Sequence, residues 1–283
     1  MKKLFMAVIA LMMTISASAQ FFIYFSDGTT AMVDSISMVA PVGTFSVSAT
    51  KQVSFSSGNL QYHPAGNEWR FAANQTDYIG DANTNISSTY NGWIDFFGWS
   101  TSASYFGVCT STDYNDYSGS FVDWGTNRIG NDAPNTWRTL TSEEWKYLLS
   151  DRSNASSLRG VAQVNGVNGL ILLPDNWVCP SGVTFKSGFH SSYGVDYYAA
   201  YQIFTADQWS RLEKSGAIFL PAAGKRSGTS VFRVQDYGYY WSATESNISS
   251  NALCFFLTSN DAGGKFNDAR YIGRSVRLVK DVQ

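Results

Sequence analysis

The sequence predicts an α+β fold built mostly of antiparallel strands, with two short helices and long structured loops. Three observations lead there. Short apolar/polar alternations recur along the chain between Ser, Gly and Asn clusters, which is the pattern of strands joined by turns. Two segments, 141–149 and 205–212, carry the residue grammar that starts a helix. Aromatic residues make up 16% of the 283 residues and charged ones only 15%. Loops that rich in rings are packed rather than solvated, because burying the rings offsets the ordering entropy.

Taken in order, residues 1–19 read as a signal peptide. Lys2 and Lys3 form a basic start, Leu4 to Ile15 a short apolar run, and Ala17-Ser18-Ala19 a cleavage site. The apolar run is too short to span a bilayer. The expected protein is therefore exported, to the periplasm, the cell surface or the medium, with no membrane span. Residues 20–42 read as a separate β-hairpin segment, with Ser26-Asp27-Gly28-Thr29 between two apolar runs. Asp-Gly favours the tight turn whose central positions both need positive φ. The main domain is expected over 43–283.

Within it, Phe45–Val47, Val53–Phe55, Leu60–Tyr62 and Trp69–Phe71 read as short strands of a meander. Residues 74–99 hold Tyr78, Ile86, Tyr90, Trp93, Ile94, Phe96, Phe97 and Trp99 among Asn, Asp and Gly. This is the expected long, ordered excursion, and 100–129 continues in the same style. Thr141 with Glu144, and Thr205 with Gln208, each make a capping box ahead of an apolar face. Gly169–Leu173 and Ala217–Leu220 read as buried strands that each run into a Pro-bearing turn.

The closing stretch, 237–280, alternates with period two. Trp241 and Ala243 alternate with Ser242 and Thr244, and Leu253, Phe255 and Leu257 with Cys254, Phe256 and Thr258. Two polar segments, 245–251 and 259–273, separate these strands. A sheet carrying long, chemically varied loops is a common way to build a binding surface. The side chains singled out there as ligand-binding are Tyr239, Tyr240, Asn247, Asn251, Asn267, Asp268, Arg270 and Tyr271. Tyr gives broad amphipathic contact at low entropy cost, while Asn and Ser adapt their hydrogen bonds.

The words GYYWSAT (238–244), NALCFFL (251–257) and RYIGRSVRLV (270–279) resemble the C-terminal signature of C-type-lectin-like domains in secreted proteins of anaerobes. These domains are of the FISUMP kind or of the kind diversified by retroelements. VSFSSGNLQYHPAGNEWRFA (53–72) and GWIDFFGWSTS (92–102) resemble the front half of the same domains. A more distant resemblance, through Gly273 followed by Arg277-Leu278-Val279, is to the formylglycine-generating enzyme fold. The resemblance implies a C-type-lectin-like fold whose C-terminal face recognises a protein or glycan on another cell or a host. In diversified relatives, variable positions arise from mutation of adenine-containing codons. The run Phe266–Ile272 contains only residue types reachable in that way.

Several function classes find no support in the sequence. Net charge is −2 with no basic block, so the clustered Lys and Arg that neutralise nucleic-acid phosphates are missing. His63 and His190 are the only histidines, the carboxylates are scattered, and no Gly-x-Ser-x-Gly elbow occurs. Gly224-Lys225-Arg226 lacks the glycine spacing and the hydroxyl of a phosphate loop. Cys109, Cys179 and Cys254 match no zinc or redox spacing. They read as small buried hydrophobes, with a Cys109–Cys179 bridge left open. The enzymes in the distant resemblance use a reactive Cys pair, and Cys254 has no obvious partner near it in the chain. The expectation is a non-enzymatic ligand-binding protein without cofactor or metal. Two other readings stand beside it: a structural or adhesive surface subunit, and, behind that, a formylglycine-generating-like enzyme.

Overall fold

The computed structural model describes residues 21–24, 30–33, 43–99 and 110–282. The chain divides into two compact units, Met1–Ala40 and Pro41–Gln283. In the first, β1 (Phe21–Tyr24) pairs antiparallel with β2 (Thr30–Val33), Phe21 opposite Val33 and Tyr24 opposite Thr30. The segment expected to be a signal peptide, the Asp27-Gly28 turn and Cys109 lie outside the described residues.

The second unit opens with β3 (Phe45–Ser46) and β4 (Gln52–Phe55), then β5 (Leu60–His63) and β6 (Glu68–Phe71). A long connection leads to β7 (Arg138–Thr139) and α1 (Ser142–Lys146), which runs on into a wider turn over Tyr147–Asp151. Next come β8 (Arg159–Val164), β9 (Val167–Leu172), α2 (Asp196–Tyr201), β10 (Ile203–Phe204), α3 (Ala206–Lys214) and β11 (Ile218–Pro221). The hairpin of β12 (Lys225–Ser227) and β13 (Ser230–Phe232) follows, then β14 (Gly238–Glu245), β15 (Asn251–Leu257), β16 (Ala262–Ala269) and β17 (Leu278–Asp281). The architecture is α+β with mostly antiparallel strands; β10 beside β8 is the parallel pair among the named strands.

Local sequence accounts for much of this. The Thr141 hydroxyl accepts from the Glu144 N–H while the Glu144 carboxylate accepts from the Thr141 N–H. Thr205 and Gln208 repeat the arrangement at α3. Both helices therefore start where the capping boxes place them. A third helix, α2, was not anticipated; no side chain caps its start, so the sequence carries no start signal for it. The β8–β9 hairpin turns at Asn165 and Gly166, both at positive φ (48° and 82°). That is the Asn-Gly tight turn, which suits the twist of the strands.

Three apolar clusters fill the unit, and single strands serve two of them. In β9 and the residue after it, Leu170 and Leu172 enter the first cluster, Ile171 and Leu173 the third. In β11, Leu220 and Phe219 divide in the same way, and Trp209 and Leu212 of α3 cover Phe219. In β14, Tyr240 enters the first cluster and Trp241 the second, and in β17 Val279 and Leu278 do likewise. Successive side chains point to opposite faces of a strand, and here both faces are covered.

The aromatic-rich 74–99 excursion is ordered, as its composition predicts. Ile94, Phe96, Phe97 and Trp99 are fully buried. Its hub is the buried Asn83. The Asn83 Oδ1 accepts from the Asp95 and Phe96 N–H groups, and Nδ2 donates to the Gly80 carbonyl and to Asp95 Oδ1 at 2.7 Å. Burial raises the Asp95 carboxyl to about 6, against the lowering effect of its hydrogen bonds to Asn83 and Ile79.

Two expectations follow. Trp241 is 1% exposed and its Nε1–H donates to the Phe97 carbonyl, so Trp241→Ala lowers unfolding free energy by about 3–5 kcal/mol in urea titrations. A carboxyl whose pKa is higher folded than unfolded holds its proton more tightly in the fold. The Asp95 contribution to stability is therefore greatest below about pH 4, declines through about pH 4–6 and is level above that. Carbon-13 titration of Asp95 should show a midpoint near 6, and the pH slope of stability should flatten in Asp95→Asn.

Candidate ligand-binding site

The three-stranded sheet β14–β15–β16 carries most of the residues singled out in the sequence. It is antiparallel, with Trp241 opposite Cys254 and Cys254 opposite Phe266. The register shifts between Cys254 and Phe256 along β15. The segment 259–273 was expected to be a polar loop, yet its middle is the eight-residue β16. As an edge strand paired only to β15, β16 can be polar along its length. Its other close neighbour is α1. A Cβ at Gly264 would lie 2.7 Å from the Lys146 nitrogen, so only glycine permits that approach.

Alternation divides the candidate residues. Tyr240 is fully buried and its hydroxyl donates to the Pro221 carbonyl at 2.9 Å. It belongs to the first core cluster and is not a ligand-binding residue. Tyr239 and Tyr240 are consecutive in a strand, so they cannot share one surface. Tyr239 faces the other way and is 6% exposed. Its ring is parallel to that of Tyr237, with centroids 5.3 Å apart, and the Arg274 guanidinium sits 4.3 Å from its centre. Burial pushes its hydroxyl up to about 12. Asp268 pairs with Arg274, and Lys225 Nζ is 3.8 Å from the same carboxylate, so its charge is already engaged. Asn267 is exposed and lies one residue out of phase with Asp268, on the opposite face.

The remaining four gather at the β14–β15 turn. A cleft of about 460 Å³ opens there, lined by Tyr114, Asn115, Ser118 and Gly119 on one side and by Glu245–Asn247, Ser249, Ser250 and Arg270 on the other. Arg270 is its floor. The guanidinium lies 4.4 Å from the Trp99 ring centre, Nε donates to the Asn251 carbonyl, and Nη1 donates to the carbonyls of Tyr117 and Gly119. Its third nitrogen, Nη2, is 3.8 Å from the Glu245 carboxylate. Tyr271 stands edge-on to Tyr114 at 5.3 Å. Asn247 and Arg270 thus line the cleft, Asn251 holds its floor through the backbone, and Tyr271 braces its wall. Tyr114, Glu245 and Ser249 were not singled out in the sequence. Tyr114 is far away in the chain, and only the fold brings it to the turn.

Catalytic chemistry finds little to work with. Cys254 is buried and burial pushes its thiol up to about 11, far from a nucleophilic thiolate at neutral pH. Among the described residues no group of three or more His, Cys, Asp or Glu is placed to hold a metal, and no helix is long and apolar enough to cross a membrane. Cys179, by contrast, is exposed, which corrects its reading as a buried hydrophobe. Iodoacetamide on the native protein should modify Cys179 and leave Cys254 intact until denaturant is added, as read by peptide mass mapping. No protein-family model, curated protein or solved structure matches this chain, so its own geometry carries the functional reading.

Proposed function

We propose that this is an exported, non-enzymatic ligand-binding protein of C-type-lectin-like fold, which engages a protein or glycan through the cleft at the β14–β15 turn. One observation carries the reading: a floor fixed by Arg270 beneath a wall of polar groups that the fold leaves unused. Arg270 is tied by three hydrogen bonds and a ring contact. Above it, among the described residues, the Ser249 hydroxyl and the Asn247 Nδ2 have no hydrogen-bond partner, and Tyr114 is 50% exposed. A rigid base with adaptable polar groups and a Tyr is the chemistry of recognition loops. The buried Cys254 thiol weighs against the enzymatic reading. Within Phe266–Ile272, Asn267 and Asp268 lie on the edge strand β16, which accommodates polar side chains in any protein, so they do not by themselves speak for diversification.

The test is a triple variant, Tyr114→Ala, Asn247→Ala and Ser249→Ala, compared with the parent on glycan arrays and against proteins displayed from candidate host or bacterial surfaces. The expected outcome is an unchanged melting temperature and a loss of at least ~100-fold in affinity, about 2.7 kcal/mol spread over the three side chains. Undiminished binding of every ligand the parent binds would sink the proposal. Arg270→Ala, in contrast, should lower stability as well, since three carbonyls lose their donor.

A further inference from the structure

At the other end of the same sheet lies a second concavity, of about 360 Å³, unlike the cleft in its chemistry. Its rings are Tyr193, Tyr237, Tyr239, Phe256 and Phe266, and its rim is Thr258, Asn260 and Asp261. Strand register assembles the aromatic part. Tyr239 lies opposite Phe256 in β14–β15, and Phe266 stands 5.5 Å from Phe256 and 6.0 Å from Tyr239. Tyr193 closes the group, 5.4 Å from Tyr237 and fixed by its hydroxyl donating to Asp236. Phe266 is 38% exposed and Tyr193 41%. Large rings left in view at a concave site mark a place for a ligand face.

We propose that this concavity is a saccharide site, holding one pyranose unit with its C–H face against the rings and two neighbouring hydroxyls on the rim. The rim supplies a matched pair. Asn260 uses its Oδ1 to accept from Thr258, and Asp261 uses its Oδ1 to accept from the Ala262 N–H. Among the described residues this leaves the Asn260 Nδ2 donor and the Asp261 Oδ2 acceptor unbonded, on adjacent, exposed residues. A sugar hydroxyl both donates and accepts, so a donor beside an acceptor fits a vicinal diol.

The competing occupant for an aromatic concavity is an organic cation. Here cations already engage these rings: Arg274 and Lys225 lie 4.3 and 5.4 Å from the Tyr239 centre, and Arg233 lies 5.4 Å from that of Tyr237. These cations, ion-paired to Asp268 and Asp236, already take up ring faces that a further cation would need, whereas the donor and acceptor on the rim fit a hydroxyl-rich ring. The cleft and this concavity share no lining residue, so each proposal can fail alone.

The experiment is saturation-transfer NMR on the whole protein with glucose, galactose, mannose, N-acetylglucosamine and fucose, and with tetramethylammonium as the cation probe. The expected result is transfer to the ring C–H protons of at least one sugar. Phe266→Ala and Asp261→Asn should each weaken it by about tenfold or more, in variants whose amide spectra show them still folded. The Tyr114/Asn247/Ser249 triple variant should leave it unchanged. Absence of transfer from all five sugars, transfer that both single variants preserve, or saturable binding of tetramethylammonium in their place would overturn the assignment.

Discussion

The structure depends on the backbone of residues 270–282, which runs through the middle of the fold. These residues exchange hydrogen bonds with several segments that lie far apart in the chain. Trp99 donates to the Arg270 carbonyl, Gly273 and Arg226 bond each other in both directions, and so do Phe97 and Arg274. Trp241 donates to Ser275, Leu60 to Val276 and Ser56 to Leu278. β17 then lies between β4 and β7, so the end of the chain joins the beginning of the domain. Buried N–H and C=O groups must be paired, and here the pairing partners of five separate segments sit on one strand of chain. Stability is therefore highly non-local.

Three arginines on that segment show how the constraint was met. Arg270 stacks on Trp99 and bonds carbonyls, Arg274 pairs with Asp268 beneath Tyr239 and Trp241, and Arg277 is wholly buried. Arg277 has amide oxygens for partners, those of Gln75 and Asn59. Burial lowers its pKa to about 10, which still leaves it charged at neutral pH. A planar guanidinium with five donors can tie several carbonyls together at once and lie flat on a ring. Each arginine thereby holds a loop or strand end in register, and the two surface concavities lie above two of them.

The cleft and the aromatic concavity occupy opposite ends of one sheet, and their chemistries differ for a structural reason. At the β14–β15 turn the chain leaves the sheet, so backbone and small polar groups are exposed over a fixed floor. At the β15–β16 turn the outward face of the sheet continues past the core, and the large side chains that would be core elsewhere meet solvent. Trp241 and Cys254 share a face with Tyr239 and Phe256, two residues along their strands, and with Phe266 opposite Cys254; on that face Phe266 reaches solvent.

Short-range physics was legible in the sequence. Both capping boxes, the strands between Phe45 and Phe71, the buried strands around Leu170 and Leu220, and the core placement of Trp241 are all consequences of local pattern. So was the order in the 74–99 excursion, because many rings in one loop require burial. The split between Tyr239 and Tyr240 was also available, since period-two geometry forbids neighbours from sharing a face. Other features had no local sign. α2 has no cap, β16 is polar because it is an edge, and the recruitment of Tyr114 to the cleft needs more than a hundred residues of intervening chain. Sequence determines which residues can be strand, helix start or core, because those preferences act over a few bonds. Which polar residues converge into a site is decided by the tertiary structure, because convergence depends on where the closing segment pins distant loops.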